Sequence, residues 1–277
     1  MNPNLSKIAS HNFQALGVTN IKTQVGNGLK ILEKQNKVDW IYIDPSRRHN
    51  SKGKVFFLKD CLPDVPSNLD LLFYKSDHIL IKTSPLLDIY SGIKSLQCVK
   101  EIHVVALRNE VKELLWILEK GFENNTTIRT INILKDKDVT FSFSLADEVN
   151  NNPNFSFPKK YLYEPNAAIM KSGGFNSIAN TFTLEKLHPH SHLYTADQKI
   201  EFPGRTFEII SVLPYQKKII KKEKITKANI TTRNFPETVS EIRKKFKIKD
   251  GGDIYLFFTV NCVNEKVVLA CRKLDFR

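Results

Sequence analysis

No run of apolar residues in this sequence approaches 18, so it holds no membrane-spanning helix. Its first residues, MNPNLSKIASHNF, lack the basic and apolar regions of a secretion signal. Cysteine is limited to Cys61, Cys98, Cys262 and Cys271, none close to another in sequence. That scatter argues against a zinc ribbon, a redox motif or a disulfide framework, and points to a reduced, cytoplasmic protein. Glycine is scarce, 11 residues in 277, below the ~7% of average composition. Disorder is excluded by what is present. Hydrophobic residues at 41% and charged residues at 26% are ordinary globular values. The length suffices for one large domain, or two to three smaller ones, with a sizeable core.

Acidic residues are also in short supply. The chain has 29 Asp and Glu against 42 Lys and Arg, a formal net charge of +13. Residues 211–277 hold 16 of the basic and 7 of the acidic residues, an excess of nine, leaving only four for the preceding 210 residues. A cationic C-terminal quarter calls for an anionic partner, most simply RNA or DNA; the alternative is a solvated surface kept for solubility. Lys217, Lys218, Lys221 and Lys222 have helical spacing, with Ile219 and Ile220 turned inward. Arg243-Lys244-Lys245-Phe246-Lys247 repeats that arrangement on the next helix. Two basic helix faces can form a patch for the RNA backbone. Tyr215, Phe235 and Phe246 read either as stacking platforms or as core.

Residues 1–145 alternate helical and strand patterns. An amphipathic stretch from Leu5 to Leu16 precedes a turn at Gly26-Asn27-Gly28, a short helix over 29–34, and an apolar run, 39–43, that reads as a buried strand. The pattern then predicts helices over 67–74, 86–96 and 109–120, and strands over 78–82 and 101–107. Runs at 128–134 and 139–145 are split by Lys-Asp-Lys-Asp and read as a hairpin. Such alternation means a largely parallel, right-handed sheet closed by an antiparallel pair. Residues 147–160 are polar and proline-bearing and read as a linker. Two short helices, Asn166 to Lys171 and Phe175 to Thr183, surround Gly173-Gly174. From residue 206 the order is strand (206–213), helix (215–222), strand (227–232), helix (237–246) and two strands (253–260, 266–272). That order fits a small α+β sandwich of ferredoxin-like type. The expected division is an α/β domain over 1–150, a small linking module over 151–205 and an α+β domain over 206–277.

In an open α/β sheet, ligands gather beyond the C-terminal ends of the strands. The strand over 39–43 runs into Asp44-Pro45-Ser46-Arg47-Arg48. A carboxylate and exposed backbone carbonyls accept hydrogen bonds from an amine, and adjacent arginines in a loop hold phosphate bidentately. The bland alternative is a strand-to-loop turn with a capping Asp and solvent-facing arginines. Lys82, Ser84 and Asp88 stand at the end of the neighbouring strand. Lys82 is an electrostatic partner for Asp44 or a substrate contact, while Ser84 and Pro85 read as the cap and first residue of a helix. Asn109-Glu110 likewise reads as a helix start. His188-Pro-His190-Ser-His192 suggests a metal, but the intervening proline and the lack of a nearby acidic cluster or Cys partner lead us to expect none.

Tyr42-Ile43-Asp44-Pro45-Ser46-Arg47-Arg48 resembles the fourth-strand motif of class I S-adenosylmethionine-dependent methyltransferases, in the group carrying a C-terminal THUMP-like domain. Leu5 to Phe13 is similar to the helix after the second strand of such enzymes, and Lys82 to Asp88 to the segment after their fifth. His103 to Leu115 resembles the next strand and helix. Tyr161 to Lys171 and Arg233 to Leu256 resemble the group's middle and C-terminal modules. The resemblance covers nearly the whole chain. It implies an α/β fold, a Rossmann-like methyltransferase sheet followed by a small ferredoxin-like or linking module over 151–205 and a THUMP-like, ferredoxin-like α+β domain. It also implies S-adenosylmethionine as cofactor and RNA as partner. In that reading Asp44, Pro45 and Ser46 present the methyl acceptor, with Asp44 also beside the cofactor. Arg47, Arg48, Lys82, Asp88 and the four lysines 217, 218, 221 and 222 contact the substrate. Asn27 stands where such enzymes place an Asp that accepts a bond from the adenine amino group. As a residue it reads equally as part of a glycine turn feeding a helix.

Two departures shape the expectation. No G-x-G loop follows an N-terminal strand, and no acidic residue ends a second strand to hold the ribose. The chain is therefore expected to start at the helix after the second strand, without the half of the site that holds the cofactor's methionine end. Arg47 stands where nitrogen methyltransferases carry an aromatic residue; a guanidinium stacks on a base as well as gripping phosphate, so an RNA substrate survives. The expected function is S-adenosylmethionine-dependent methyl transfer to RNA, with this chain a fragment impaired in cofactor binding. The alternative is a non-catalytic nucleic-acid-binding protein that retains the fold.

Overall fold

Asn2 starts the first helix. Its side-chain oxygen accepts from the amides of Asn4 and Leu5, and Pro3 takes the first turn, so α1 spans Pro3–Ala15. The computed structural model describes residues 2–47 and 57–274. It forms two units, Met1–Val99 with Trp116–Glu123, and Lys100–Leu115 with Asn124–Arg277.

In the first unit, α2 (Gly28–Glu33) leads to β1 (Trp40–Ile43), a short antiparallel ribbon of β2 (Ser46–Arg47) and β3 (Cys61–Leu62), α3 (Leu69–Lys75), β4 (His78–Thr83) and α4 (Ile89–Ser95). β1 and β4 are parallel, with Ile41 opposite Ile79 and Ile43 opposite Ile81. The segment expected to be a buried strand buries only Ile41; Trp40 and Tyr42 are exposed. Alternation puts Ile41 and Ile43 on one face and Trp40 and Tyr42 on the other, and that second face is exposed. The end of α3 anchors β1. The buried Lys75 ammonium donates to the carbonyls of Glu33 (2.8 Å) and Gln35 (2.7 Å), as a cation at a helix C-terminus should. Ser76 Oγ donates to the Asp39 carbonyl, and Val38 N–H to that of Lys75.

Residues 99–119 correct the predicted helix over 109–120. They form β5 (Val99–Leu107) and β6 (Glu110–Glu119). Arg108 and Asn109 both take positive φ, 50° and 66°, the geometry of a two-residue hairpin turn. Burial then alternates, with Leu114, Trp116 and Leu118 inward. In the first unit the closing residues of β6 bring Trp116 against Gly92, where no Cβ fits, and its Nε1 donates to Thr83 Oγ1 at 2.9 Å.

In the second unit β5 is parallel to β7 (Thr127–Ile133), which forms the expected hairpin with β8 (Asp138–Ser144). Part of the expected linker is helical. α5 (Leu145–Asn150) is capped by Ser144, and its buried Glu148 accepts from the amides of Asn176 and Ser177. There follow β9 (Tyr161–Pro165), α6 (Ala167–Ser172), α7 (Phe175–Thr181), β10 (Glu185–Lys186), β11 (Tyr194–Ala196) and β12 (Gly204–Pro214). The chain closes with α8 (Lys217–Lys222), β13 (Asn229–Thr232), α9 (Val239–Phe246), β14 (Ile254–Val260) and β15 (Lys266–Leu274), the order read from the sequence. These strands make a seven-stranded sheet, β10-β11-β9-β12-β15-β14-β13. β9 pairs antiparallel with β12 from Pro165–Gly204 to Tyr161–Glu208, so the middle and C-terminal segments share one sheet. One core under it gathers Leu213, Ile220, Ile242, Phe246 and Phe258; a second gathers Leu162, Phe207, Phe257 and Leu269.

Candidate functional site

The parallel register sets Asp44 and Lys82 side by side, one residue beyond the Ile43–Ile81 pair. Lys82 Nζ lies 2.8 Å from Asp44 Oδ2. The carboxylate is about half exposed and its partner about one-third. Its exposure leaves the Asp44 carboxylate open to a further donor. It can accept an N–H or O–H while the ammonium fixes the group's direction. Pro45 is buried, and Ser46 is exposed, its Oγ 3.5 Å from the Leu62 carbonyl. Arg47 was expected in a loop; its backbone pairs instead with that of Cys61, and Ser46 with Leu62. Arg48 lies outside the described residues.

Asn27 and Asp88 are both helix caps. Asn27 Oδ1 accepts from the amides of Leu29 (3.0 Å) and Lys30 (3.4 Å) at the start of α2. Asp88 Oδ1 accepts from Ser91 N–H at 2.8 Å, starting α4. Ser84 and Pro85, read as a helix start, form a turn: Leu87 N–H donates to the Ser84 carbonyl, and Leu86 N–H to Ser84 Oγ. The turn carries the chain past the strand end, and the helix starts at the Asp88 cap.

In the second unit, Lys217, Lys218, Lys221 and Lys222 are all exposed on α8, with Ile220 buried and Ile219 packed behind it. The second basic run is less free than its sequence reads. Arg243 pairs with Asp250 and donates to the Ala228 and Ile248 carbonyls. Lys245 donates to Tyr215 Oη (2.7 Å) and to Glu237 (2.9 Å), while the Tyr215 hydroxyl donates to Glu237 Oε1. Burial pushes the Tyr215 hydroxyl up, and the hydrogen bonds from Tyr215 and then Lys245 hold the Glu237 carboxyl below its ordinary value. Lys244 and Lys247 remain exposed. Tyr215, Phe235, Phe246 and Phe258 stack edge-on or tilted around one another, with centroids 4.9–6.2 Å apart, as core.

The histidines have structural partners. His188 bonds Asn264 and Asn234, and His192 stacks on Phe175 at 3.5 Å. Among the described residues no three His, Cys, Asp or Glu side chains gather as a metal site, and no helix is long and apolar enough to cross a membrane.

One polar network had no sequence signal. Asn132 Oδ1 accepts from Asn109 N–H, Asn109 Oδ1 from Ala167 N–H, and Asn166 Oδ1 from Ile169 N–H. Nearby, the Glu164 carboxylate holds two guanidiniums, Arg205 through Nε at 2.7 Å and Arg233 at 2.8 Å. Apart from the local Asn166 cap, these contacts join residues 23 to 69 positions apart, which local patterns do not register.

Comparison with known proteins adds the following. Residues 161–203 match a family of ferredoxin-like domains, and residues 204–273 a family of THUMP domain-like modules. A solved structure from Porphyromonas gingivalis W83, described as a "putative methyltransferase", is 32% identical in sequence with a TM-score of 0.86; the match covers 99% of this chain and 70% of that one. No curated protein matches.

Proposed function

The chain belongs to the family of this Porphyromonas gingivalis protein, and on that premise we propose that it serves S-adenosylmethionine-dependent methyl transfer to RNA. The observation that carries the reading is the exposed Asp44 carboxylate, held by Lys82 at the ends of two adjacent parallel strands. The THUMP-like residues 204–273, with four exposed lysines on α8, support RNA as the partner.

The cofactor supplies a methyl group on a sulfonium, which an acceptor lone pair displaces in line. What this chain's residues do is narrower. Asp44 accepts the hydrogen bond of an acceptor N–H or of a water that takes its proton, and Lys82 orients that carboxylate. Asn27 uses its oxygen on the cap of α2, and no glycine cradle stands among the described residues, so they do not by themselves fit the methionine end. The reading therefore assigns that end to polypeptide outside these 277 residues. The Asn27 cap equally favours the second reading, a non-catalytic RNA-binding protein of the same fold.

Calorimetric titration of S-adenosylmethionine into the 277-residue chain tests the first point. No binding is expected; clear micromolar binding overturns the incomplete site. RNA affinity against salt tests the second. Changing Lys217, Lys218, Lys221 and Lys222 together to Ala should flatten the logarithmic salt slope by about three, at ~0.7 per lost phosphate contact on a single strand. An unchanged slope removes α8 from the RNA surface.

A further inference from the structure

Residues 216–253, all in the second unit, hold twelve Lys and Arg against five Asp and Glu. The fold commits most of those acids internally. Glu237 holds Lys245 and Tyr215, Asp250 holds Arg243, and Glu241 caps α9 with Thr238. Arg233 reaches Glu164. Nine exposed lysines are left, the four of α8 together with Lys224, Lys227, Lys244, Lys247 and Lys249, and none has a carboxylate partner among the described residues. Only Glu223 and Asp253 remain to offset them.

These lysines belong to one surface. A cavity of about 190 Å³ lies between the ends of α8 and α9, lined by Lys221 and Lys224 on one side and Lys247 on the other. Lys227 and Lys249 stand opposite each other in a parallel bridge, where the Ala228 N–H donates to the Lys249 carbonyl and the Lys249 N–H to that of Thr226. Helix stability does not account for the charges. Lys217 and Lys218 open α8, where the dipole disfavours cations and the first turn carries no acid. Lys227 and Lys249 lie beyond both helices. Like charges gathered without counter-charge call for an anionic partner.

What the surface lacks narrows the partner. No large apolar side chain is exposed between residues 213 and 262. A helix lying on a membrane needs such a face, and a single-strand site needs aromatic rings on which bases stack. Tyr215, Phe235 and Phe246 belong to the core instead. Resting on the RNA reading above, we propose that the lysines of α8 and those at the ends of α8 and α9 form one phosphate-binding surface for double-helical RNA, gripped by its backbone without contact to base faces. A double helix presents two backbones of phosphate and hides the faces that this surface has no means to use.

The test titrates the whole chain, over a range of salt, with an RNA duplex, with each of its separated strands and with phosphatidylserine vesicles. The duplex should bind at least as tightly as either strand. Lys224→Gln, Lys247→Gln and Lys249→Gln together leave α8 intact. They should flatten the logarithmic salt slope for the duplex by about two to three, at ~0.9 per lost phosphate contact, with the thermal midpoint unchanged. Lys112→Gln with Lys137→Gln, lysines already paired with Glu110 and Glu201, should leave that slope as it was. A strand that binds about ten-fold more tightly than the duplex overturns the proposal, since bases are then read, and leaves the RNA reading standing. An unchanged slope in the triple variant confines the contacts to α8, and an equal flattening by the control pair reduces the effect to bulk charge; either overturns the shared surface while RNA still binds. Binding to the vesicles but to no RNA, or to none of the probes, overturns this proposal and the RNA reading together.

Discussion

Residues 2–47 and the strands β12–β15 follow equally regular sequence patterns and reach opposite ends. α1 has an amphipathic period yet buries no residue; Leu5 and Ile8 are 63% and 56% exposed. In β14 and β15, by contrast, Leu256, Phe257, Phe258 and Val267 through Cys271 are all buried. The contrast teaches that periodicity licenses an element without supplying its burial. A helix of 13 residues is marginal alone and depends on packing. α1 has its Asn2 cap and a Ser10–Thr23 hydroxyl contact of 2.6 Å. The C-terminal strands have two faces of interdigitated aromatics.

The sharpest way to break this comparison is to cut the better-packed side. Phe258→Ala should cost about 3–5 kcal/mol in urea unfolding, since it empties the centre of the Tyr215–Phe235–Phe246 cluster. A loss below about 1 kcal/mol would mean the cluster is loosely packed and the contrast false. Next comes acid. The Arg129 hydrogen bond, with a smaller part from His103, holds the Glu101 carboxyl at about 2 against an ordinary 4.5. Because the folded value is depressed, the pair's stabilisation is fully present above 4.5 and drains away as pH falls through about 2. Arg129→Gln should flatten that part of the stability–pH curve, while an unaltered curve would remove the pair from the balance. Thr238→Ala should cost about 1 kcal/mol, because Thr238 and Glu241 form a reciprocal capping box on α9. The smallest effect belongs to α1. Leu5→Ala should shift stability by no more than about 0.5 kcal/mol, and α1 amides should exchange with deuterium far faster than those of β15. A cost as large as that of Phe258→Ala would show α1 to be packed in solution.

Much of the candidate site was legible, and its limits were physical. Asp44 after an apolar strand and Lys82 at the end of the next are local marks, and parallel pairing joined them. The roles of Asn27 and Asp88 as caps were legible only in part, since Asn, Asp and Ser serve caps and ligands with the same atoms. Residues 109–120 read as helix because Leu, Lys, Glu and Trp fit either period over ten residues. Two residues, Arg108 and Asn109, decided for the strand by taking positive φ.

By itself the sequence determined which segments alternate, where the 127–144 hairpin turns, the βαβαββ order after residue 204, and that the lysines of α8 face water. Those follow from local propensity and period. Only the tertiary structure decided that β9 joins β12 in one sheet, that Trp116 docks on Gly92, that Glu164 gathers Arg205 and Arg233, and that Lys221 and Lys247 line one cavity. Each of these pairs residues 24 to 69 positions apart, and distance along the chain carries no trace of distance in space until the backbone has closed the loop between them.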